Sequence, residues 1–150
     1  MIEVRLTSSQ MLIAAQVGVQ RQVQNLSRNN QDVYGASKLA GWQMHIEGAM
    51  GEFALAKYLG IFWDGKGEWR MRDVGDFDVR TRSKDYYDLI VHDGDEGDRF
   101  IYLLTGVNGR YRVHGGMYAR EAKQEKYWKD PAGGRPAYFV PQKDLYFIDR

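Results

Sequence analysis

The segment Asp73-Val74-Gly75-Asp76-Phe77-Asp78-Val79-Arg80-Thr81 decides how the chain is read. Charged and apolar residues alternate along it, and a period of two is the mark of a β-strand. Phe77 and Val79 fall on one face; Asp76, Asp78 and Arg80 fall on the other. Three charges on one strand face leave two readings. Either the face is open to solvent at a sheet edge, or the charges serve a site. Carboxylates are the hard oxygen ligands that Mg²⁺ takes, and a neighbouring cation can hold a phosphate and stabilise charge developing on it.

Upstream of this strand the pattern is helical. Thr7-Ser8-Ser9-Gln10 has the form of a capping box, with Thr7 as N-cap. Leu12, Ala15, Val19, Val23 and Leu26 follow at steps of three and four, predicting an amphipathic helix with that stripe inward. A second helix is predicted from about Leu39 to Leu59, with Leu39, Trp42, Ile46, Met50 and Phe53 as its apolar face and Gly60 as its stop. Downstream, short strands are predicted at Leu89–His92, Phe100–Thr105 and Arg110–His114, with Asn108-Gly109 as a hairpin turn. A short helix over Tyr118–Lys126 and a strand over Ala137–Val140 close the reading. The expectation is one α+β domain over residues 1–150: helical over 1–60, then one mostly antiparallel sheet with a short helix over 61–150.

Composition fits this. The chain has 150 residues, 43% hydrophobic and 13% aromatic, the profile of a globular domain rather than a disordered one. It has no Cys, which excludes disulfides, thiolate zinc sites and Cys nucleophiles. No apolar run reaches membrane-spanning length and the first residues do not read as a secretion signal, so the cytoplasm is the expected location. Net charge is only +1, but residues 51–99 hold 8 basic and 12 acidic side chains, and residues 100–150 hold 9 and 5. An acidic middle beside a basic end fits a metal site next to a polyanion-binding surface; it equally fits a mixed surface that averages out in space.

Several chemistries are absent. There is no GxxxxGK[ST] loop, no GxGxxG after a strand, no HExxH and no GxSxG. The acidic run Asp93–Asp98 lacks the EF-hand frame, its twelfth position being Leu104, and reads as a polar hairpin turn. In the second helix, by contrast, His45, Gly48 and Glu52 share one face. Gly48 and Gly51 each cost that helix about 1 kcal/mol relative to Ala. Such a cost suggests close approach by the sheet or by a ligand.

A helix carrying Gly48-x-x-x-Glu52, then an Asp, then an acidic-x-basic triplet on a strand resembles the PD-(D/E)XK nucleases. The resemblance implies a restriction-endonuclease-like fold, a mixed and mostly antiparallel sheet flanked by helices. It also implies Mg²⁺ (or Mn²⁺)-dependent hydrolysis of phosphodiester bonds in nucleic acid, DNA foremost. Carried over, Glu52 matches the helical Glu, Asp73 the lone Asp with Asp76 as competitor, and Asp78-Val79-Arg80 the triplet. Glu52, Asp73 and Asp78 are then the expected metal ligands. Asp76, Arg80 and His45 complete the candidate catalytic set. Arg80 stands where the family has Lys, and an always-protonated guanidinium cannot act as a general base. Over roughly residues 42–143 the chain is also similar to a group of uncharacterised phage and bacterial proteins with a Gly-Asp-x-acidic-Val-Arg segment, here Gly75–Arg80, and a tail like Arg135–Gln142. Arg110, Arg112, Arg120, Lys123, Lys126 and Lys129 are the expected nucleic-acid contacts. The alternatives are a catalytically silent nucleic-acid-binding module of the same fold and a small phage or host interaction protein; a homodimer is a further expected assembly.

Overall fold

The structure is a computed structural model that describes residues 1–28, 40–66 and 71–148. In chain order its elements are β1 (Ile2–Arg5), α1 (Ser8–Ser27), α2 (Gly41–Leu59), β2 (Phe77–Arg82), β3 (Leu89–Val91), β4 (Phe100–Val107), β5 (Arg110–Tyr118), α3 (Ala119–Ala122), β6 (Trp128–Lys129) and β7 (Ala137–Val140). Single 3₁₀ turns cover Glu125–Tyr127 and Gln142–Asp144. The class is α+β, as expected, but the strands form two sheets rather than one: β1-β5-β4-β2 and β3-β7-β6.

The first sheet is the middle layer. Its β4 is buried on both faces and reads as a continuous apolar run, the pattern of a central strand. Phe100, Tyr102 and Leu104 pack with Leu55, Ala54 and Leu59 of α2. Ile101 and Leu103 face the other way and pack with Leu89, Val91 and Val140 of the second sheet and with Ala119 and Ala122 of α3. Among the described residues all strand pairings are antiparallel except β2 with β4. Two adjacent parallel strands need a crossover of a dozen residues or more. Residues 83–99 supply it, and the strand β3 of the second sheet lies within it. The acidic run therefore links two sheets and is not a hairpin turn.

The short-range signals hold. Thr7 and Gln10 form a reciprocal capping box, with Gln10 N–H donating to Thr7 Oγ1 at 3.1 Å and Thr7 N–H to Gln10 Oε1 at 2.9 Å. Gly60 ends α2 in the left-handed region at φ 69°. Asn108 and Gly109 turn the β4–β5 hairpin at φ 57° and 85°, as a two-residue turn with positive φ at both centres requires.

Four expectations are corrected. First, α1 forms, but Leu12, Val19, Val23 and Leu26 of its predicted inward stripe lie outside, and only Ala15 of that stripe packs on the core; Ala14, Gly18 and Gln22 face α2 instead. Gly18 is the reason. A Cβ there would lie 2.7 Å from His45 O and Ile46 N of α2, so small residues let the two helix backbones cross closely. Second, β5 continues beyond His114 to Tyr118. A bulge at His114-Gly115, with Gly115 at φ 102°, opposes two residues to Leu103 and sends Met117 to the second core. Third, the helix predicted over 118–126 is one turn, Ala119–Ala122, followed by a 3₁₀ turn. Fourth, the N-terminal third is not purely helical: β1 pairs with β5 at the sheet edge. Leu39 lies outside the described residues, and Trp42 is exposed rather than on an inward face.

Candidate functional site

The polar residues of interest gather around the start of β2, where α2 crosses the sheet. Val74 and Phe77 close a tight turn through reciprocal backbone hydrogen bonds, with Gly75 at φ 55°. This turn folds Asp73 back along the outer edge of β2, where its Oδ2 accepts the Val79 N–H at 2.9 Å. An edge strand leaves such N–H groups unpaired, and Asp73 fills that role.

Asp78 and Glu52 sit on opposite sides of this edge. Asp78 points toward the second sheet and is 5% exposed. Both of its oxygens accept from Arg99 Nη1 at 3.1 Å, and Arg99 also donates to Met71 O. Glu52 lies on the α2 side and is 8% exposed. Arg21 of α1 grips it through two nitrogens at 3.0 and 2.9 Å, and Trp63 Nε1 donates to it at 3.1 Å. Arg80 extends the Asp78 face and donates Nη2 to both oxygens of Asp95 at 2.9 Å. Asp95 in turn accepts from the His92 N–H.

Charge does not balance here. Glu52, Asp73, Asp78 and Asp95 face Arg21, Arg80 and Arg99, and Asp73 is the acid bonded to a backbone N–H rather than to an arginine. Burial pushes its carboxyl up to about 7, and the charges of Glu52 and Asp78 push in the same direction. Burial also raises Glu52, against the pull of Arg21 and Trp63. The three acids named by sequence thus influence one another electrostatically through Asp73. Asp76 stays outside: it is exposed in the turn, and it is absent from the charges that shift Asp73.

The arrangement suits a hard cation in donor chemistry. All three acids offer oxygen; Arg21 and Arg99 already neutralise Glu52 and Asp78, and Asp73 is the one not paired with an arginine. Two buried polar atoms beside Glu52 have no hydrogen-bond partner: Arg21 Nε and Thr81 Oγ1. Thr81 packs on the α2 backbone at Gly51, where an added Cβ would meet its Cβ at 2.9 Å. Among the described residues, however, no three acidic or histidine side chains already stand in coordinating geometry. Arg21 and Arg99 must release Glu52 and Asp78 before those carboxylates could all reach one ion.

Gly48 and Gly51 differ in their surroundings. Gly51 is pressed against β2, as its cost implied, whereas Gly48 has open space where a Cβ would go. His45 lies two helical turns before Glu52, and its Nε2 pairs with Asn25 Nδ2 of α1 at 3.0 Å. The structure does not bring it to the acids. Four of the six basic residues lie at opposite ends of β5, a strand about 26 Å long at its usual rise, and Lys126 and Lys129 lie further on, in the 3₁₀ turn and in β6. Arg110 and Arg112 lie at its start, Arg112 paired with Asp85. Arg120 and Lys123 lie past its end, beside the acidic loop, where Lys123 donates to the carbonyls of Asp93 and Asp95. Arg120 stacks over Tyr118 and Lys126 over Tyr127, while Lys129 is exposed on β6.

Sequence reading missed Arg21, Trp63, Asp95, Arg99 and His92. The first four hold the named acids and Arg80 in place. His92 is half-buried at the end of β3, and its imidazole is held below its usual pKa by burial and by the nearby Arg80. Only Asp95 carried a visible signal, within the acidic run. Among the described residues no helix is long and apolar enough to cross a membrane. No protein-family model, curated protein or solved structure matches the chain.

Proposed function

We propose that the chain is a metal-dependent nuclease of the restriction-endonuclease-like kind, acting on nucleic acid and on DNA foremost. The observation that carries this is Asp73, whose carboxyl burial raises to about 7 and which feels the charges of both the helical Glu52 and the strand Asp78. In this reading Glu52, Asp73 and Asp78 hold Mg²⁺ or Mn²⁺. The ion supplies charge neutralisation and a more acidic bound water. Arg80 exchanges Asp95 for the scissile phosphate, and Arg120 and Lys123 beside the same loop steady the neighbouring backbone. Arg80 cannot accept a proton, so its part is electrostatic.

The bidentate Arg21 and Arg99 pairs favour a second reading, in which the same fold binds nucleic acid without cutting it. One experiment separates the two. Supercoiled plasmid and single-stranded DNA and RNA are incubated with wild type and Asp73→Asn in Mg²⁺, with gel shifts run in parallel in EDTA. Cleavage by wild type and not by Asp73→Asn supports the nuclease. A shift without cleavage supports the silent module, and its affinity should fall steeply between about 50 and 200 mM salt as counterions are released. Neither cleavage nor a shift removes both readings.

A further inference from the structure

The two faces of α1 are the reverse of those of an ordinary amphipathic helix on a core. Its buried residues are Ala14, Gly18 and Gln22, while Leu12 is 61% exposed, Val19 39%, Val23 47% and Leu26 57%. Leu12, Gln16, Val19, Val23 and Leu26 recur at steps of four, three, four and three. That is the spacing of a coiled-coil seam. Ile13, 50% exposed, flanks it. We infer that α1 is the contact between two copies of this chain, laid helix against helix.

Charge argues for a second copy over a different partner. An isologous contact sets residue i against j and j against i across the two-fold axis, so residues near the axis meet their own copy and a charge there meets a like charge. The only charged residue of α1 is Arg21, and it is turned inward onto Glu52. What remains outside is aliphatic or amide, a face compatible with itself. Partner choice between different chains is commonly set by complementary charges flanking the seam, and here Gln16, Gln20 and Gln24 occupy the outward positions between the aliphatic residues.

Area points the same way. A helix of this length runs about 30 Å. The five aliphatic side chains are each roughly half open, so pairing two copies would bury roughly 800 Å² of apolar surface, and the flanking glutamines take the total past the roughly 1,000 Å² of a specific interface. A polar residue within such a seam, here Gln16, is also the usual device for setting register. Val19 lies near the middle of α1, so it meets its own copy whichever way the two helices run.

The test is independent of the proposed activity. Sedimentation equilibrium of the full chain, up to about 100 μM and therefore well above a micromolar dissociation constant, should give twice the 17.3 kDa monomer mass. Val19→Lys should shift the species to monomer, weakening self-association at least tenfold, with unchanged circular dichroism. Because the chain has no Cys, Val19→Cys should form a disulfide-linked dimer on mild oxidation, which tests the contact even if the Lys variant folds poorly. A monomeric wild type, a dimer indifferent to Val19→Lys, or failure of Val19→Cys to cross-link would overturn the inference.

Discussion

Replacing Asp73 by Asn should stabilise the protein at alkaline pH and do little near pH 4. In the folded chain Asp73 holds its proton up to about pH 7, because burial and the charges of Glu52 and Asp78 disfavour the carboxylate. In the unfolded chain it releases the proton near 3.8. Between those values the folded state binds more protons than the unfolded state, so stability falls as pH rises, and the whole cost is present above about pH 7. At about 1.4 kcal/mol per pH unit the ceiling is about 4 kcal/mol. Partial solvent access to Asp73 reduces this to about 2–3 kcal/mol. Asn keeps a side-chain oxygen for the Val79 N–H and carries no charge, so it escapes the cost. For a chain of this size the gain is about 5–10 °C in Tm. Melting curves of both proteins from about pH 4 to 8.5 in EDTA would show the gap opening through the acid range and levelling off near neutrality. A gap independent of pH, or an Asn variant less stable at pH 8, would refute the charge argument. On the proposed nuclease reading, added Mg²⁺ should narrow the gap by stabilising the wild type alone.

Three other substitutions discriminate among the structural roles. Asp78→Ala leaves Arg99 buried without its carboxylate and should cost about 3–5 kcal/mol in urea denaturation; a loss below about 1 kcal/mol would show that the pair carries little. Gly18→Ala forces α1 and α2 apart and should cost about 1–3 kcal/mol, whereas Gly48→Ala meets open space and should gain up to about 1 kcal/mol; equal effects in the same denaturation series would contradict the helix crossing. On the proposed nuclease reading, Arg80→Ala should retain Mg²⁺ affinity by calorimetry while losing about 10²–10³ in single-turnover cleavage, and a matching loss of metal binding would assign Arg80 a different part.

Part of the site was legible because a strand repeats every two residues. Asp78 and Arg80 on one face of β2, and the placement of Glu52 on a helix before it, follow from spacing alone. The partners of these groups do not. Arg21 lies 31 positions from Glu52, Arg99 lies 21 from Asp78, and Asp95 lies 15 from Arg80. No periodicity links such positions, and an arginine that will be buried reads in sequence like any exposed one. The choice between Asp73 and Asp76 also needed the turn at Gly75, which folds one of them onto the edge of β2 and leaves the other in solvent.

The sequence by itself determined the elements whose causes are local: the capping box at Thr7, the stop at Gly60, the turn at Asn108-Gly109, and the existence of α1, α2, β2, β4 and β7. Each rests on contacts within a few residues or on a period carried by the segment itself. Tertiary structure decided which way those elements face and what they join. The stripe of α1 looked inward by pattern, yet the close crossing at Gly18 turned it out. The acidic run looked like a hairpin, yet the parallel pairing of β2 with β4 made it part of a crossover between two sheets. Strand β1 and the bulge in β5 became visible only once β4 was central. Periodicity records that a segment has two unlike faces; which face is buried depends on the shape of what packs against it.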